Sequence, residues 1–209
     1  MIVKIEINDV INPAGWGGID PAGVKEHLAD VTETDTLEVY INSPGGDYFS
    51  GAEIAEAIRA CSAKKKTGYV TGNCASAATY ALLECDERWI SPLGMILIHE
   101  PAVFVAGKST TLKAVAHELD LITDALISYY AGRLKADEKQ VSDWIHELPD
   151  GHTFSAPDAI KYGWVKGVTT TGKKEDKQVP SKWNSTLRRT VDLANAKAAW
   201  LTYLKAVKK

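Results

Sequence analysis

Cysteine is scarce in this chain: three occur among 209 residues, Cys61, Cys74 and Cys85. The number is odd and no Cys-x-x-Cys spacing exists, which excludes a disulfide framework and a Cys-based structural zinc site and suits a reducing compartment. Long apolar runs are absent as well. No stretch approaches the roughly 20 apolar residues that a membrane helix needs. The N-terminus, Met1-Ile-Val-Lys-Ile-Glu-Ile-Asn8, lacks the unbroken apolar core of a signal peptide. Nor does one charge dominate, with 24 Lys and Arg against 27 Asp and Glu, a net of −3. A cytoplasmic protein with no cofactor and no metal is expected.

What is present is a chain of ordinary composition, 45% apolar. A chain of this length buries about 70% of its unfolded surface, so its core needs no covalent staples. The small net charge conceals a split. Residues 1–170 carry 14 basic and 24 acidic side chains, a net of −10, whereas residues 171–209 carry 10 and 3, a net of +7. The split divides the chain into a body over 1–170 and a basic extension over 171–209. In the extension, 171–182 reads as a polar linker and about 185–207 as a helix. A solvated or processed extension is a better reading than a nucleic-acid contact, because one Trp183 is interleaved with the charges of the tail.

Apolar and polar residues alternate from Val3 to Asn8, the pattern of a strand. A Gly-rich turn follows at 13–18, and Asp20 caps a predicted helix over 21–31 with Val24, Leu28 and Val31 on one face. Leu37–Ile41 is a strand running into a Pro-Gly-Gly turn, with a helix predicted from about Ser50 to Cys61. The run Lys64–Lys66 reads as a solvated loop, Thr67–Thr71 as a strand, and Gly72–Tyr80 as a turn of small residues that opens a buried helix. Further strands are expected near 88–90 and 95–99. Strands alternating with helices predict an α/β fold with much parallel sheet. From Ser109 the period changes: Leu112, Val115, Leu119, Ile122, Leu126, Tyr129 and Leu134 step at helical spacing for about seven turns, long enough to project from a body of this size. A second helix over 137–148 turns back, and Ser155 caps a short helix that Gly163 stops.

Four local patterns carry chemistry. Ile41-Asn-Ser-Pro-Gly-Gly46 follows a strand, and its two glycines can leave backbone N–H groups bare to receive an oxyanion. In Gly72-Asn-Cys-Ala-Ser76-Ala-Ala78 a serine flanked by alanines opens a helix, where a substrate backbone can approach closely. The order differs from the Gly-x-Ser-x-Gly elbow of α/β-hydrolases. In Ile96-Leu-Ile-His99-Glu-Pro101 a histidine ends an apolar strand, the end at which α/β sheets place their sites. Asp150-Gly-His-Thr-Phe-Ser-Ala-Pro-Asp158 sets a carboxylate just before a capped helix, suited to orient an imidazole. Each pattern has a purely structural reading, as a turn, a cap or a packed core residue. Cys74, two residues before Ser76, reads as a buried packing residue.

Taken in order, these patterns resemble the Clp protease proteolytic subunits, the ClpP-like serine peptidases. The matching stretches are INSPGG at 41–46, GNCASAA at 72–78, ILIHEP at 96–101 and FSAPDAIKYGWV at 154–165, within roughly residues 1–168. The resemblance implies a spiral of ββα units with a projecting helical handle, here over 109–135. It implies a Ser-His-Asp endopeptidase in which Ser76 is the nucleophile and His99 the general base, with the backbone N–H groups of Gly46 and Ala77 forming the oxyanion hole. The family's acid lies just ahead of the Phe-x-Ser-Ala stretch. Gly151 and His152 occupy the nearest positions here, so Asp150 is the expected acid, with Asp158 and Glu147 as further candidates.

The family also places a segment ahead of its first strand to meet an ATPase. This sequence starts in that strand, which leaves docking to an AAA+ unfoldase open. The handle implies self-assembly into a homo-oligomeric ring or barrel, with Leu126, Tyr129 and Tyr130 as contacts between subunits or within one. Gly15-Trp-Gly-Gly18, Asp47 and the basic extension resemble the bacteriophage branch, the head maturation (prohead) proteases that trim capsid and scaffold proteins in the host cytoplasm or inside a prohead. A host-type Clp peptidase subunit is the alternative enzyme, and an inactive peptidase-fold assembly protein the alternative from another class. The related crotonase-type acyl-CoA fold has no use for the Ser76 and His99 pair.

Overall fold

The computed structural model describes residues 1–169. The linker and helix expected beyond residue 170, and with them the boundary of the extension, lie outside the described residues. The elements are β1 (Ile2–Ile7), α1 (Pro21–Leu28), β2 (Thr36–Ser43), α2 (Tyr48–Ala60), β3 (Lys65–Ala75), α3 (Ala78–Leu83), β4 (Glu87–Ile90), β5 (Met95–Ile98), α4 (Ser109–Ala131), α5 (Glu138–Ile145), β6 (His152–Phe154), α6 (Ala156–Lys161) and β7 (Gly167–Val168). The predicted α/β class is the observed one.

The sheet runs β1-β2-β3-β4-β7, parallel throughout. β3 is its pivot. Residues Thr67–Val70 pair with β4, and Asn73–Ala75 pair with β5 instead. Between the two stretches, the ladder from β2 to β3 shifts register after Ile41. β5 then receives β6 antiparallel, with Ile98 opposite His152. On the core side, Ile5, Ile7, Leu37, Val39, Ile41 and Val70 alternate with more exposed neighbours and pack under Ile54, Ile58 and the whole of α3. Burial of this contiguous apolar set drives the fold.

Caps fix the helix starts. Asp20 accepts from the Gly23 N–H, Asp47 from Ser50, Asp137 from Gln140 and Ser155 from Asp158. Because Asp47 is the cap, α2 begins at Tyr48, ahead of the Ser50 start expected from sequence. The Lys64–Lys66 loop is also corrected. β3 already starts at Lys65, whose ammonium pairs with Glu87 while the backbone of Lys65 and Lys66 stands in register with Thr36 and Leu37. The charges lie on the wet edge of a strand, and periodicity cannot distinguish that from a loop.

The helix α4 is a handle in the expected sense. Its first turns are exposed, and among its residues only Thr123, Leu126 and Tyr130 are buried. Of the two roles open for Leu126, Tyr129 and Tyr130, packing within the chain is the one seen. Leu126 and Tyr130 pack inside the chain, Tyr130 against Trp164, and half-buried Tyr129 donates its hydroxyl to Glu84.

All three cysteines are free thiols. Cys74 and Cys85 are buried, and burial pushes the Cys85 thiol up to about 12 and the Cys74 thiol higher still. Cys61, after α2, is partly exposed. A thiol reagent at mildly alkaline pH is expected to titrate Cys61 alone in the native protein and all three thiols after denaturation, read by absorbance or intact mass.

Candidate active site

Ser76 follows the last residue of β3 and holds a left-handed backbone, φ 52°, which no other non-glycine among the described residues shares. Such a conformation in a residue with a side chain costs on the order of 1–3 kcal/mol and has to be held by its surroundings. Three contacts hold it. The Ser76 N–H donates to the Leu97 carbonyl at 2.8 Å, continuing the ladder from β3 to β5. The Thr79 N–H and hydroxyl both donate to the Ser76 carbonyl, at 2.9 and 2.6 Å. The Tyr130 hydroxyl lies 2.7 Å from Thr79 Oγ1. Since the Thr79 proton is committed to Ser76, Tyr130 is the donor. A hydrogen-bonded chain thus runs from α4 to the serine turn.

The glycine pair closes on this turn from the other side. Gly45 has φ 85°, and a Cβ there would stand 2.5 Å from the Ala75 carbonyl oxygen, 2.7 Å from Ser76 Cβ and 2.9 Å from the Ala77 nitrogen. Only a residue without a side chain fits. The loop is pinned behind by Ile11, whose N–H donates to Gly45 and whose carbonyl accepts from Asp47. Buried Ser43 adds a second pin, accepting the Gly45 N–H and donating to the Asp9 carbonyl. Among the described residues, neither the Gly46 N–H nor the Ala77 N–H donates to a protein acceptor. The amide that follows Ser76 and the second amide of the glycine pair are therefore both unpaired, and such groups can receive an oxyanion.

His99 comes one residue after β5. Parallel pairing of β3 with β5 puts Ser76 and His99 at the same carboxyl end of the sheet. Both line a cavity of about 280 Å³ with Gly46, whose walls are mainly apolar: Tyr48, Phe49, Tyr80, Val103, Ile122 and Leu126. Among the described residues the His99 ring makes no hydrogen bond, to Ser76 or to any carboxylate.

His99 also lines a second cavity, of about 350 Å³, whose walls carry the carboxylates Glu100, Asp120, Glu147 and Asp150. The structure sorts the acid candidates. Asp158 accepts from the Ser155 hydroxyl in the cap of α6 and does not line the cavity. Glu147 is bonded to the His152 ring, and Glu100 pairs with His146 at 3.3 Å. Asp150 shares the cavity with His99 and has no partner among the described residues.

Sequence reasoning missed Asp120, an exposed carboxylate on α4 facing the same cavity. No local motif marks it; only helix packing brings it there. The apolar wall on the serine side was equally unseen, because Tyr48 and Phe49 fell between the glycine turn and the helix expected from Ser50, and Ile122 read as handle.

A parallel α/β sheet thus brings a strained serine, a histidine and two unpaired amides to one strand end. Comparison with known families narrows this. The Clp protease profile matches residues 27–172. The ATP-dependent Clp protease proteolytic subunit 2 of Treponema denticola is 28% identical over 157 residues, covering 74% of each chain. That of Pseudomonas aeruginosa is 23% identical over 164 residues, covering 76% of this chain and 80% of its own. The proteolytic subunit of Leuconostoc citreum is 28% identical over 146 residues, covering 68% and 71%. The chain belongs to the Clp protease family, and the family supports a peptidase.

Gly45→Ala tests the close approach. With a positive φ and a collision against Ala75–Ala77, it is expected to lower stability by about 1–3 kcal/mol, seen as a lower melting temperature, and to lower hydrolysis further than that loss explains.

Proposed function

We propose that the chain is a serine endopeptidase with Ser76 as nucleophile, His99 as general base and acid, and Asp150 as the orienting carboxylate. The observation that carries the reading is the shared cavity of Ser76, Gly46 and His99, with bare N–H groups at Gly46 and Ala77.

The steps follow from this arrangement. A substrate backbone enters the cavity and brings His99 into reach of Ser76 Oγ. His99 takes the hydroxyl proton as Oγ bonds to the peptide carbonyl carbon, and the carbonyl oxygen becomes an anion received by the Gly46 and Ala77 N–H groups. The C–N bond breaks as His99 returns the proton to the leaving amine. Water then attacks the acyl ester, its proton passing through His99 back to Ser76. Asp150 holds the imidazolium and its tautomer. Cys74 is no rival nucleophile, since burial keeps its thiol protonated.

Within this class our leading role is head maturation, the trimming of capsid and scaffold proteins. The Gly-rich entry at 15–18, Asp47 behind the glycine pair and the basic extension support it. A host-type proteolytic subunit is the second reading, favoured by the names of the relatives. In either role, self-assembly would use the apolar surface that α4 and its preceding loop leave exposed, including Phe104, Leu112 and Leu121.

A fluorophosphonate probe is expected to label Ser76 in the assembled protein, and S76A and H99A are each expected to lower peptide hydrolysis by at least about 10³-fold. Absence of both labelling and hydrolysis would favour an inactive assembly protein. Cleavage of a folded capsid or scaffold protein by the chain alone supports head maturation; cleavage only with ATP and an unfoldase supports the host-type role. Sedimentation should show a ring-sized species that L121E dissociates.

A further inference from the structure

Asp150 stands in 147–151, the last five residues of the segment between α5 and β6. Position 151, opposite His99 beyond the Ile98–His152 pair, cannot carry an acid itself. Gly151 has φ 84°, and a Cβ there would collide with the Ile98 carbonyl and lie 2.6 Å from both Cα and Cβ of His99. A carboxylate serving His99 from this strand therefore comes from the neighbouring loop residue, whose position has to be set by something other than the β5–β6 ladder.

The loop is closed at its base. The Gly151 N–H donates to the Glu147 carbonyl at 2.6 Å, and the Glu147 carboxylate is bonded to Nδ1 of His152. The His152 ring in turn lies stacked on Trp144 of α5, with centroids 5.8 Å apart, and edge-on to the buried ring of Phe154 at 4.5 Å. One imidazole thus joins the two ends of the loop to the rigid packing of α5 and β6. The mechanism uses neither Glu147 nor His152.

We infer that Glu147 and His152 form a clasp that holds the 147–151 loop so that Asp150 faces His99; both are positioning residues for the proposed peptidase, on whose reading this rests. The clasp divides the carboxylates around the cavity into two kinds. Glu147 is spent on His152 and Glu100 on His146, which leaves Asp150, with Asp120 across the cavity, free to face the His99 ring.

The test uses the full chain. H152A is expected to lower kcat about 10²-fold, the scale of a misplaced catalytic group, with KM unchanged. H152Q, which keeps a donor for Glu147, is expected to recover most of it. The double variant H152A/D150N should be no slower than D150N alone, since both remove the same interaction. An NMR titration of the His99 ring, assigned by its loss in H99Q, reads the clasp without any activity. H152A and E147Q should each shift the His99 titration in the same direction as D150N, and should do so in a D120N background as well. A His99 titration in H152A that matches wild type, or effects of H152A and D150N that multiply, would overturn the clasp. If the wild-type chain neither hydrolyses peptide nor takes the serine probe, the peptidase reading fails, and the titration still decides whether the clasp sets the Asp150–His99 contact.

Discussion

The left-handed backbone of Ser76 is the constraint on which the site and much of the fold around it depend. A serine does not adopt it unaided. Its N–H is held by β5, its carbonyl by Thr79 at the start of α3, and Thr79 by Tyr130 of α4. The pair Gly45 and Gly46 is the other half of the same requirement. A turn forced outward at Ser76 leaves no room for a side chain on the strand beside it, and the absence of that side chain lets two amides stay unpaired. Strain at one residue and close approach at another are here one geometric condition, met by elements drawn from four parts of the chain.

His99 lines two cavities of different character. On the serine side the walls are mainly aromatic and aliphatic, with Asp47 and Glu118 beside them. In the other cavity carboxylates gather, two of them held by imidazoles.

Much of this was legible in the sequence, for reasons that can be named. The glycine pair and His99 each follow a largely apolar strand, and Ser76 lies in a run of small residues, so each was marked by a local pattern. The caps at Asp20 and Ser155 are local signals and were readable as such. The start of β3 was not, because Lys65 and Lys66 spend their charges on solvent and on Glu87 while their backbones are ordinary strand. β6 and β7 are three and two residues long, and β6 begins with a histidine and a threonine. Segments so short are strands only because β5 and β4 offer them a free edge. Asp120 and the Glu147–His152 pair are products of packing between elements, which no spacing rule contains. Leu126 and Tyr130 show the converse limit: an apolar helix face announces that it will be covered, but not whether by the same chain or another.

The antiparallel pairing of β6 with β5 also sets an order in time. A ribosome releases Ser76, the glycine pair and His99 well before residues 147–154, and loop closure across that interval is among the most distant contacts of the body. A nascent chain therefore carries a serine and a histidine with no acidic loop beside them until β6 docks. Completion of the site is tied to completion of the body, so a fragment that stops short of β6 is born without the full set of groups it would need to act on its neighbours.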